Sequence, residues 1–249
     1  MDKRLEEIKE NYEKMRIGVD EPFRFHCTQC GDCCRNREDI ILSAWDIYRM
    51  SKALGLTAEE AAGRYCEAYI GSSSRVPIIR LRPEGAGRRC PMLKGRKCAI
   101  HGAKPTVCAM FPIGRCFSFG REDGEAKKDG LTGVEFIFVD PDCGDGARTQ
   151  TVREWFGTFG IPLDDPFFGQ WTQLIAHISG VIQTIEKDLY ECLMGILWDV
   201  VFQFMYLEYD THKDFMPQFE QNAAVIRNTL ADFMNKAGRD QPGTGGVQE

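Results

Sequence analysis

The chain has 249 residues, is 43% hydrophobic and carries a formal net charge of −6 at pH 7. That is enough for one large or two small domains with a real core, and it excludes a wholly disordered protein. Eleven cysteines accompany an opening, MDKRLEEIKENYEKMR, that is charged from its second residue and lacks the apolar stretch of a secretory signal, so a cytoplasmic location with reduced thiols is expected and a disulfide framework is excluded.

In chain order, residues 2–16 have the pattern of an amphipathic helix, and Pro22 begins an extended approach to Cys27. Ser43 with Asp46, and Thr57 with Glu60, have the spacing of capping boxes. They predict one helix over Ala44 to Leu54, stopped by Gly55, and a second from Thr57 to about Ile70. Cys66 falls inside the second helix, apart from the other cysteines, and reads as a small buried residue. The β-branched runs Val76 to Leu81 and Val134 to Val139 predict short strands, and the charged Arg121 to Gly130 an exposed turn. Thr151 with Glu154 predicts a short helix, and Asp165-Pro166 opens a helical half that runs, with interruptions, to Lys236. Met194, Ile196, Leu197, Trp198, Val201, Phe202 and Met205 crowd most faces of one helix there, which places it centrally in a bundle. The apolar run from Cys192 to Leu207 carries Asp199 and is shorter than the roughly 20 residues of a membrane span, so a buried helix is expected. The expected fold is mainly α with short β-strands. A loop-rich, cysteine-ligated metal domain covers residues 1–146, a helical bundle packed on it covers 147–237, and 238–249 form a disordered tail.

The sharpest local signal is Cys27-Thr-Gln-Cys30-Gly-Asp-Cys33-Cys34. Two-residue spacers let successive thiolates turn inward around one centre, and Gly31 relaxes the backbone between them. The neighbours Cys33 and Cys34 direct their side chains apart in most backbone conformations, so one ligates while the other bridges, serves a second metal or packs. A second group, Cys90-Pro91, Cys98-Ala-Ile-His101 and Cys108-Ala-Met-Phe-Pro112, alternates thiols with turn-forming residues, as metal-organised loops do. Cys143, in Asp-Pro-Asp-Cys143-Gly-Asp-Gly, closes a site from a distant part of the chain.

Together these motifs, with Ile41-Leu42 and Trp45-Asp46 after the first and with Cys143-Gly144 at the end, resemble the YkgJ-type cysteine-cluster family over about residues 23–146. That family is described as zinc- or iron-chelating and is distantly related to the flagellin lysine N-methylases. The resemblance implies metal-ligand roles for Cys27, Cys30, Cys33, Cys34, Cys90, Cys98, Cys108 and Cys143. His101 stands where the family often has tyrosine, so a hydrogen bond to sulfur or carbonyl is expected of it before coordination. Cys116 lies outside the motif and reads as packing or as support for the ligands from behind. Eight thiols exceed the needs of one tetrahedral zinc, and the Cys-x2-Cys-x2-Cys run with a remote Cys-Pro is that of cluster ligation, so an iron–sulfur cluster leads. Zinc, as two ions or as one with spare thiols, satisfies the same spacings.

Charge is distributed unevenly. Between Arg75 and Lys104 stand nine Lys or Arg and one acid, Glu84, whereas from Thr151 onward six basic residues face fourteen acids. Compensation of thiolate charge is the first reading of the basic segment, and an anionic ligand at residues 75–104 the second; nucleic acid and membrane are not expected as partners. Three functions remain open. One is a cluster with a redox or cofactor role, another a zinc-organised or metal-handling protein whose helical half binds a protein partner. The third is a methylase-like, cluster-dependent modifying enzyme, against which stands the lack of a glycine-rich nucleotide loop after a strand.

Overall fold

The structure, a computed structural model, describes residues 10–36, 39–117 and 133–237, and is mainly α with short strands in small antiparallel sheets. Residues 10–15 are helical and Arg16 begins a strand; residues 2–9 of the amphipathic segment, the turn at 121–130 and the tail from 238 lie outside the described residues.

The chain forms two compact units, divided differently from the expected boundary after residue 146. One comprises the chain up to Ile40 together with Pro83–Asp165, and the other Ile41–Arg82 together with the chain from Pro166. The physical reason lies in the segment 41–82, which carries its own apolar faces. Ala44, Ile47, Tyr48 and Met50 are buried on one of its helices, and Ile79 and Leu81 on one of its strands.

In the first unit, Arg16–Ile17, Val134–Phe138 and Ile113–Phe117 form a three-stranded sheet with Val134–Phe138 central. Phe23–His26 pairs antiparallel with Asp145–Gln150. Burial alternates along the first of these strands, with Phe23 and Phe25 inward and Arg24 and His26 outward, the period of two that a half-buried strand requires. Both phenylalanines enter a core with Met110, Ile113, Phe136, Trp155, Phe156 and Ile161. Trp155 meets Phe25 edge-on at 5.4 Å and donates its indole N–H to the Met110 carbonyl at 2.9 Å. Thus the helix Val152–Gly157, started by the predicted Thr151–Glu154 capping box, is clamped to the short helix Thr106–Met110.

In the second unit the capping boxes at Ser43 and Thr57 form as read, and Gly55, at φ 65°, ends the first helix. The second helix stops at Tyr65 instead of continuing to Ile70. Cys66–Ile70 is a strand paired in register with Pro77–Leu81, so Cys66 is buried opposite Leu81 in a sheet and not on a helix. Five-residue pairing satisfies the backbone groups that a further helical turn would have used, and tertiary pairing outranks helix propensity here. The helices Pro166–Ile185, Glu191–Phe202 and Phe215–Ala237 follow, and Met194, Leu197 and Val201 of the middle one are buried as expected. Among the described residues no helix is long and apolar enough to cross a membrane.

The Arg115 side chain in the first unit is only 3% exposed and meets Asp165 at 3.0 Å. Removing one partner of such a pair costs more than removing both. Asp165→Asn should therefore destabilise the chain by about 2–4 kcal/mol, read from the denaturant midpoint, and Arg115→Met combined with Asp165→Leu should recover most of that loss.

Candidate metal centre

The cysteine site is assembled from four stretches of the first unit. The strand pairing sets His26 opposite Asp145, which brings Cys27, one residue beyond the first strand, alongside Cys143 and Gly144, just before the second. The loop after Cys27 turns tightly, with Gln29 at φ 54° and Gly31 at φ 80°, and then closes as a 3-10 turn over Asp32–Cys34. Left-handed backbone at a non-glycine residue is uncommon and costs energy, so the Cys27–Cys34 loop is held by its surroundings. Cys90 is brought to Cys34 by a backbone bond from its N–H to the Cys34 carbonyl, 2.9 Å, and Asn36 is bonded likewise to Gly87 at 3.3 Å. Cys98 ends the small hairpin Leu93–Lys94 and Lys97–Cys98, opposite Leu93, whose own N–H reaches the Cys90 carbonyl. Cys108 sits on the helix Thr106–Met110.

Two glycines make the close packing possible. A Cβ on Gly144, at φ 75°, would stand 2.6 Å from the His26 carbonyl oxygen and 2.7 Å from the Phe25 ring. On Gly31 it would stand 2.9 Å from the Arg96 carbonyl oxygen. Both are distances that real Cβ atoms do not adopt, and glycine is required for the backbone conformation as well.

A small open cavity of about 30 Å³ is lined by Cys27, Cys30, Cys33, Cys108 and Cys143. Phe25, Phe111 and Trp155 form its apolar wall, and Lys104 is its cation. Cys34 lies against it through Cys33, the two sulfurs being 4.0 Å apart. Cys34 also shares a hydrogen bond with Cys90 and has Cys98 nearby. All eight sequence-predicted cysteines are thus gathered in one region. His101 is off the cavity, edge-on to Phe159 at 5.9 Å, with burial and then Lys104 lowering its basicity. Cys116 is on the strand Ile113–Phe117, 3.2 Å from the Tyr12 hydroxyl, and Cys66 and Cys192 belong to the other unit.

Sequence reasoning missed the cavity's walls. Lys104 is 8% exposed, and its ammonium lies 4.1 Å from the Phe159 ring centroid, a cation–π contact. It is one of nine cations in its stretch of sequence, and only its place beside Pro105 and Cys108 in the motif distinguishes it from the solvated ones. Trp155 carries no sequence signal of its own.

The thiols raise one another's pKa. Burial, followed by Cys33, Cys30 and Cys27, pushes Cys143 up to about 12 from the ordinary 9.0. For Cys34 the hydrogen bond with Cys33 pulls down, but Cys90, burial and Cys98 outweigh it and the thiol rises to about 11. Burial also raises Cys98, against the Ile100 backbone and Lys104, which lower it. Among the described residues no three His, Cys, Asp or Glu side chains already converge as a single bound ion would hold them. The donors lining the cavity are nonetheless all sulfur, a set that suits zinc or iron–sulfur and not the oxygen-seeking cations.

The fold and the site define a cysteine-cluster metal-binding protein. Residues 26–130 match the model of the CxxCxxCC family, described as "Putative zinc- or iron-chelating domain", which is consistent with the YkgJ-type resemblance. No curated protein and no solved structure matches the chain.

Two outcomes follow from this geometry. Gly144→Ala should cost about 2 kcal/mol or more and lower metal content in elemental analysis, whereas Gly102→Ala, where nothing stands within 4 Å of the added carbon, should not. Because the thiol pKa values are higher in the folded chain than the ordinary 9.0, their contribution to the stability of the metal-stripped protein is complete below about pH 9. That contribution should fall as the pH approaches 11–12, as measured by denaturation midpoints across the series, while metal affinity rises with pH because loading expels the thiol protons.

Proposed function

We propose that the chain holds an iron–sulfur centre on its clustered cysteines and uses it in a redox or cofactor role in the cytoplasm. The observation that carries this reading is the cavity: five thiols on three separate stretches of chain face one space, and three more adjoin it. The Cys27-x2-Cys30-x2-Cys33 spacing with the remote Cys90-Pro91 is of the ferredoxin kind, which favours a cluster over a single ion. Phe25, Phe111 and Trp155 lower the local dielectric and limit water, which is how a protein tunes such a centre, and Lys104 offsets part of its negative charge.

Zinc is the second reading, supported by a specific distance. Two thiolates on a tetrahedral zinc with bonds of about 2.3 Å stand about 3.8 Å apart, and the Cys33 and Cys34 sulfurs stand 4.0 Å apart.

Protein purified without oxygen decides between them. Iron with equivalent acid-labile sulfide and a broad visible absorption is expected; zinc without sulfide would retire the redox role and leave a zinc-organised module. Cys30→Ala or Cys108→Ala should lower metal content and folded yield, whereas Cys66→Ala, buried opposite Leu81, should leave metal content unchanged. Full metal in the first two variants would overturn the ligand assignment.

A further inference from the structure

The eight cysteines do not form one ring. The cavity is lined by Cys27, Cys30, Cys108 and Cys143, whereas Cys34, Cys90 and Cys98 do not line it. These last three are tied to one another instead: Cys90 to Cys34 by backbone and side chain, and Cys98 to Cys90 through Leu93, which pairs with one and bonds to the other. Cys33 belongs to both sets. It lines the cavity beside Cys143, with which it shares a hydrogen bond, and its sulfur is 4.0 Å from that of Cys34.

Resting on the metal-binding reading above, we infer that the chain carries two adjoining metal centres: an inner one on Cys27, Cys30, Cys108 and Cys143, and an outer one on Cys34, Cys90 and Cys98, completed and linked to the first by Cys33. The count fits, since a zinc ion or an iron–sulfur cluster takes four cysteine ligands and eight are present. Chain geometry fits as well. In the 3-10 turn at Asp32–Cys34 successive side chains are about 120° apart, so Cys33 lines the cavity while Cys34, its sulfur 4.0 Å away, does not.

The surroundings of the two sets differ in the way two separate centres require. Each outer cysteine has an exposed cation as its chain neighbour: Arg35 after Cys34, Arg89 before Cys90, Lys97 before Cys98. Lys94 directly faces Lys97 across the hairpin, with Arg96 in the turn. Like charges directly opposite one another destabilise a ladder, so this arrangement is tolerable where an anionic thiolate centre lies beneath it. The inner cysteines have no such neighbours; their wall is aromatic, and their one lining cation is the buried Lys104. Of the nine cations in the basic segment, Arg89, Lys94, Arg96 and Lys97 accompany the outer set and Lys104 lines the cavity, whereas Arg75, Arg80 and Arg82 belong to the other unit, where they meet Glu186, Glu67 and the Arg64 carbonyl.

The test is stoichiometric and uses the full chain. The metal-stripped, reduced protein is titrated with Cd²⁺, and the ultraviolet thiolate-to-metal absorption is followed alongside metal analysis of the protein as isolated. Saturation at two equivalents is expected. Cys90→Ser should saturate at one and lack the outer centre, Cys27→Ser should saturate at one and lack the inner, and Cys33→Ser should weaken both. Saturation of the parent chain at one equivalent overturns the two-centre inference and leaves the metal-binding reading standing. No Cd²⁺ uptake, with no metal as isolated, overturns both. A Cys90→Ser chain that keeps parental far-ultraviolet circular dichroism yet binds no Cd²⁺ also overturns the division, because it shows a single interdependent site.

Discussion

The cysteine site depends first on one antiparallel pairing, Phe23–His26 against Asp145–Gln150. The first and last cysteines of the cluster are 116 positions apart in the chain, yet each lies immediately beyond one end of this ladder. Main-chain hydrogen bonds set the register, and the inward Phe23 and Phe25 fix which face is buried, so a slip by one residue would turn the phenylalanines out and carry Cys27 away from Cys143. Gln150 reinforces the arrangement, since its buried side chain donates to the Phe25 carbonyl at 2.8 Å. The aromatic core under the ladder is thus the scaffold of the site as well as the source of the unit's stability.

Electrostatics then limits what the gathered thiols can be. Burial and crowding hold Cys34 and Cys143 well above the ordinary thiol value, so these two resist ionisation in the metal-free chain. Once the same sulfurs ionise, their charge must be met by a metal and by nearby cations. Lys104 serves this inside: a lysine so buried is rare without a partner, and it sits between the Phe159 ring and the cysteine cavity. Loading a metal must therefore expel the protons of Cys34 and Cys143, and a cationic guest offsets the charge that this leaves.

Several of these features were legible in the sequence because they depend on local rules. The three capping boxes, the glycine stop at Gly55 and the strands near 76–81 and 134–139 all express chemistry within a few residues, and all form. The eight cysteines were singled out as a set by the resemblance to the YkgJ-type family, with the Cys27-x2-Cys30-x2-Cys33 run as the local signal, and the fold gathers them in one region. What could not be read was decided at long range. The strand at Cys66–Ile70 exists because Pro77–Leu81 pairs with it, and Asp145–Gln150, whose sequence DGARTQ has no apolar alternation, is a strand because Phe23–His26 supplies its partner. The aromatic wall and Lys104 are ordinary residues in sequence, made special by what surrounds them.

The same distinction explains why the linear division of the chain fails in the middle. Cys34 and Cys90 are 56 positions apart, and closing a flexible loop of that length costs about 3.6 kcal/mol beyond a constant. Here the intervening segment is not flexible. It carries its own helices and hairpin, and it starts and ends with paired backbone, Ile41 against Arg80 and Leu42 bonded to Ile79. The chain therefore leaves the cysteine unit and returns at nearly the same place because residues 41–82 are folded, and the closure cost is met by their packing within the second unit. Residues 41–82 supply no ligand among the eight cysteines, yet their paired ends keep the loop that joins Cys34 to Cys90 short in effect, and the Cys90 N–H reaches the Cys34 carbonyl at 2.9 Å.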